Sequence, residues 1–102
     1  MYLFTTTTYP NEKSKEVAEM YLKCMAKYPD DPSVSTPLVP AAFRGTPQGI
    51  RAIVIYEVKK GKLEDAHAIA LNRLIMFRDI PGYRYSVKTY INLEEGLKLI
   101  GM

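Results

Sequence analysis

The segment Gly49–Gly61, GIRAIVIYEVKKG, decides how the rest of the chain is read. It contains the longest apolar run, and that run is rich in β-branched residues. In an extended strand Ala52, Val54, Tyr56 and Val58 point to one face, and Ile53 and Ile55 to the other. A strand that is apolar on both faces belongs inside a sheet covered on both sides.

Upstream of this strand, Arg44–Gly49 (RGTPQG) reads as a turn and Leu38–Phe43 (LVPAAF) as a short strand. Pro40 has no N–H for a ladder, which sends that strand to a sheet edge or gives it a bulge. Pro29–Pro37 (PDDPSVSTP) has the composition of a loop. Before it, Ser14–Tyr28 predicts a helix with Val17, Ala18, Tyr21, Cys24, Met25 and Tyr28 on one face and lysines and glutamates on the other. Asn11 is the expected N-cap, and Tyr28-Pro29 ends the helix because the residue before proline avoids helical geometry. Tyr2–Tyr9 reads as the first strand, closed by Pro10.

Downstream, Lys60-Gly61-Lys62 turns the chain into a second helix over Leu63–Ile80, with an apolar stripe of Leu63, Ala66, Ala70, Leu74 and Phe77. Pro81-Gly82 breaks it. Tyr83–Asn92 alternates as a fourth strand, and Asn92 with Glu95 forms a capping-box pattern for a short last helix to Ile100.

The resulting order is β-α-β-β-α-β plus a short helix, an α+β class chain with the split βαβ, ferredoxin-like arrangement. Right-handed crossovers put strands one and three at the centre of a four-stranded antiparallel sheet and strands two and four at its edges. Two helices cover one face. The other face exposes Ile53 and Ile55, a cost of roughly 1.5–3 kcal/mol for each side chain left unburied. A second copy of the chain is the simplest cover, so a homodimer is expected.

The layout, the chain length and the central IVIYEV strand resemble the dimeric α+β barrel superfamily, over residues 2 to 92. The resemblance implies two ferredoxin-like protomers pressed sheet to sheet. That superfamily includes small monooxygenases, isomerases, dehalogenating or decarboxylating enzymes, haem-handling proteins and stress proteins, and the fold does not choose among them. The turn Arg44–Arg51 is similar to the phosphate loop of acylphosphatases. Here it joins strands two and three, where that family has its loop after strand one, and it is read as a tight turn.

The 102 residues bound a single domain spanning 1–102. Fourteen basic against eleven acidic residues give a net charge of +3 spread along the chain, weak attraction for a nucleic-acid or membrane partner. A ribonucleoprotein-type motif would need aromatics on the central strands; on strand three only Tyr56 qualifies, so no nucleic-acid partner is expected. One cysteine, Cys24, excludes an internal disulfide. The Met1–Thr8 start lacks a secretory pattern, no apolar run reaches membrane-span length, and a cytoplasmic location is expected.

No Cys/His cluster has metal spacing, and no Gly-rich phosphate loop or G-x-S-x-G elbow occurs; no metal and no cofactor is expected. His67, the only histidine, borders the apolar stripe of the second helix and is the candidate general base. Tyr85 is its candidate partner. Tyr21 and Tyr56 are candidate ligand-binding hydroxyls in a pocket between sheet and helices. The bland readings are a packed helix-flank histidine and a tyrosine-rich core. Thr5–Thr8 place two hydroxyls on each face of the first strand, and Arg84 and Lys88 share a face of the last, where they serve as an anion site, as ion-pair partners of Glu57 or as a solvated edge. The sequence leaves open whether there is a reaction. It supports binding or transformation of a small apolar or aromatic molecule, with a non-catalytic interaction module as the alternative.

Overall fold

A computed structural model describes residues 1–102. Its elements are β1 (Tyr2–Tyr9), a 3-10 turn (Asn11–Lys13), α1 (Ser14–Lys27), β2 (Ser35–Thr46), β3 (Gly49–Val58), α2 (Leu63–Ile75), β4 (Arg84–Tyr90) and α3 (Leu93–Leu99). The strands form one antiparallel sheet in the order β2-β3-β1-β4, with β3 and β1 central as the apolar pattern of β3 requires.

Register assigns the faces. Thr5 lies opposite both Val54 and Val87, and Leu3 opposite Tyr56 and Thr89, so Leu3, Thr5, Thr7 and Tyr9 point toward the helices. Phe4 and Thr6 lie opposite Ile55 and Ile53 on the other face, where all four are half-buried. On that open face the Phe4 and Tyr90 rings meet edge-on at 4.6 Å.

Three elements differ from the sequence reading. β2 is twelve residues long instead of six, because the register shifts on either side of Val39 let the strand pass Pro37 and Pro40 without ladder bonds from them. α2 stops at Ile75 rather than Ile80. From Met76 the bonds shorten to the i→i−3 type, with Phe77 N–H donating to Leu74 and Ile80 N–H to Phe77, as the chain tightens toward Pro81-Gly82. Asn11 does not cap α1 through its side chain. A 3-10 turn runs straight into the helix, and the Ser14 hydroxyl donates to the Asn11 carbonyl instead. The Asn92–Glu95 capping box is present in both directions, at 2.8 and 3.0 Å.

Gly49 closes the β2–β3 turn at φ 129°, and a Cβ there would run into the Tyr9 carbonyl oxygen. Only glycine lets β3 begin so close to the end of β1.

The helix-facing core is two small clusters. One is Leu3, Val34, Val58 and Ala66 at one end of the sheet; the other is Cys24, Phe77 and Ile80 at the opposite end, flanked by Tyr83. Tyr83 stacks on Phe77 at 4.7 Å and on Tyr9 at 6.2 Å. Few side chains are buried between these clusters, and the candidate site lies there.

Candidate functional site: a groove between sheet and helices

α2 and the turns that follow it serve both core clusters, α1 packs near the far end of α2 through Cys24, and most of β2 stays exposed. The result is an open cavity of about 460 Å³, within the ~300–1,000 Å³ of ligand pockets. Its floor is Thr5, Val54 and Ala52, its walls include Met25, Ile69 and Ala70, and its mouth carries Leu22 and Phe43, 70% and 66% exposed. Large apolar side chains held at that exposure around a concavity are unfavourable in water unless something is received there.

Polar groups gather at one end. The Arg73 guanidinium donates from Nε to the Tyr28 carbonyl at 2.8 Å, from Nη1 to the Tyr56 hydroxyl at 3.0 Å and from Nη2 to Asp30 Oδ1 at 3.0 Å. The Tyr56 hydroxyl donates to the same Asp30 oxygen at 2.6 Å. One arginine on α2 therefore ties together the end of α1, the Pro29–Val34 loop and β3. Burial works against the Arg73 charge, but the bonds to Tyr56 and Asp30 outweigh it and hold the group protonated. Burial, reinforced by the hydrogen bond to Asp30, pushes the Tyr56 phenol up to about 12. Burial likewise pushes Tyr83 up to about 12.

These two phenols predict an alkaline limit to stability. Each ionises later in the folded chain than at the ordinary 10.0 of an unfolded one. Their contribution is fully present below pH 10.0 and is lost as pH rises toward about 12. Phenolate absorbance should show these two tyrosines titrating late and together with loss of structure. Ionisation of all eight tyrosines before any unfolding would contradict this.

Of the residues singled out from sequence, Tyr21 and Tyr56 both line the groove, Tyr21 at its mouth on α1 and Tyr56 at its polar end. His67 and Tyr85 are not brought to it. His67 is half-buried on α2, next to the buried Ala66 but outside the lining. Tyr85 shares the helix-facing side of the sheet with Thr7, its β1 partner, but sits on edge strand β4 and is 45% exposed. Glu57 pairs with Tyr2 in the register and forms no ion pair with Arg84 or Lys88.

Sequence reasoning missed Arg73, Asp30 and Phe43. Arg73 left a signal: it falls seven residues after Ala66 and one before Leu74, a lone charge within the apolar stripe of α2. Asp30 left none, since nothing in PDDP marks which carboxylate meets a helix 43 residues away.

No three His, Cys, Asp or Glu side chains converge as metal ligands would, and no helix is long and apolar enough to cross a membrane. Compared with protein-family models and with curated proteins, the sequence matches none.

Proposed function

We propose that this protein binds a small, largely apolar or aromatic molecule in the groove between sheet and helices. The carrying observation is the cavity itself: apolar along its length, open at the Tyr21–Phe43 mouth, and ended by the Arg73–Tyr56–Asp30 cluster, which orients whatever polar group the molecule has. A panel of aromatic and aliphatic compounds should contain members that raise the melting temperature. Ala70→Phe, which fills the cavity from α2, should weaken them tenfold or more while the fold persists. A broad panel without a single stabilising compound, or undiminished binding by Ala70→Phe, would defeat this reading.

His67 and Tyr85 enter only if the bound molecule is also transformed, and they would act from beyond the lining. His67→Ala is therefore expected to leave ligand affinity unchanged, as calorimetry would show; a loss of affinity would place the imidazole in the site.

The open sheet face favours the second reading, a self-associating module. Ile53, Ile55 and Phe4 form its apolar centre and are only half-buried in the single chain, and a second copy meeting them sheet to sheet would bury all three. Sedimentation should find a dimer and Ile55→Lys should dissociate it. A wild-type chain that stays single at high concentration would remove the dimer and leave the groove reading intact.

A further inference from the structure

One row of the open sheet face is strongly basic. Arg44 on β2 lies directly opposite Arg51 on β3; Arg51 lies opposite Thr8 on β1; Thr8 lies opposite Arg84 on β4. Three arginines and a threonine thus cross the whole sheet in register and on one face. All three arginines are exposed. None takes part in any ion pair or side-chain hydrogen bond of the molecule. Like charges directly opposite each other on neighbouring strands destabilise a sheet, and no acidic side chain offsets them here. A local rule broken without compensation within the fold points to an external partner.

We propose that this row binds a small polyanion carrying two or three phosphate-type groups, laid across the strands. Arginine's planar fork of donors matches phosphate oxygens two at a time. With strands about 4.8 Å apart, Arg44 and Arg51 are close enough to share one oxyanion, while Arg84 lies roughly 10 Å beyond Arg51. One phosphate cannot reach all three; a chain of them can, with the Thr8 hydroxyl between. The Thr6 and Ser86 hydroxyls occupy the next row on the same face. A single-stranded nucleic acid fits less well. The open-face aromatics Tyr2, Phe4 and Tyr90 lie at the far end beside Glu57, and Phe4 is already engaged by Tyr90, so bases cannot stack where the phosphates would sit. The site is on the side of the sheet away from the groove and does not depend on it.

The test is tripolyphosphate titrated at low ionic strength into the full chain, isotope-labelled and followed by NMR. Saturable shifts are expected at Thr8, Arg51 and Arg84, with inorganic phosphate at least tenfold weaker and Arg51→Gln at least tenfold weaker again. Without anion, Arg51→Gln should melt a few degrees higher, because the repulsion with Arg44 is relieved. Shifts matched by chloride at equal ionic strength, undiminished binding by the variant, or a lowered melting temperature would each overturn the proposal. Tighter binding of a single-stranded oligonucleotide than of tripolyphosphate would overturn it too.

Discussion

Arg73→Met is expected to destabilise the fold by about 2–3 kcal/mol, a loss of roughly 10–20 °C in melting temperature for a chain of this size. The substitution keeps most of the apolar stem and removes the donors. The Tyr28 carbonyl loses its partner, and Asp30 keeps only the Tyr56 hydroxyl. The cost stays below that of a fully buried pair because the Asp30 side chain is 38% exposed and water replaces part of what is lost. A second readout separates this from a generic packing defect. Arg73 lowers the Tyr56 phenol and Asp30 raises it, so Arg73→Met should move the phenol further up and Asp30→Asn should move it down. Phenolate titrations that move the same way in both variants would break the argument.

Gly49→Ala should cost about as much, 2–4 kcal/mol by order of magnitude. Two effects add. The residue sits at φ 129°, outside the range L side chains adopt, and the new methyl group would meet main-chain atoms of Tyr9 rather than a side chain able to swing aside. Relief would require β1 and β3 to part at the Tyr9–Ile50 pair, the end of the central pairing. Gly45→Ala is the control: its Cβ would meet nothing within 4 Å. Equal chemical-denaturation midpoints for the two variants would show that the close approach does not matter.

The order of elements was legible because alternation in β3 and the helical stripes of α1 and α2 are local properties. The length of β2 was not: Pro40 was readable as the mark of an edge strand or a bulge, but Pro37 read as the end of a loop, and the register shifts beside Val39 carry the strand back through it to Ser35. The end of α2 was overrun for a related reason: Phe77 and Ile80 stay buried after the helical bonds have tightened, so the apolar pattern outlasts the helix. At the site, Tyr21 and Tyr56 were readable from side-chain direction on a helix and a strand. The Arg73–Asp30 tie depends on where a loop lands in three dimensions. The basic row was equally hidden, because Arg44, Arg51 and Arg84 are brought together only by strand order and register.

The prolines of β2 have a consequence for assembly. The strand is long and stands at the rim of the sheet, a shape that ordinarily recruits further chains by main-chain pairing and seeds fibrils. Pro37 and Pro40 withhold two donors, and the kinked register beside them leaves no straight template. Main-chain pairing outward from this strand is broken at that point, which leaves β4, free of proline, as the edge with an uninterrupted row of main-chain donors and acceptors.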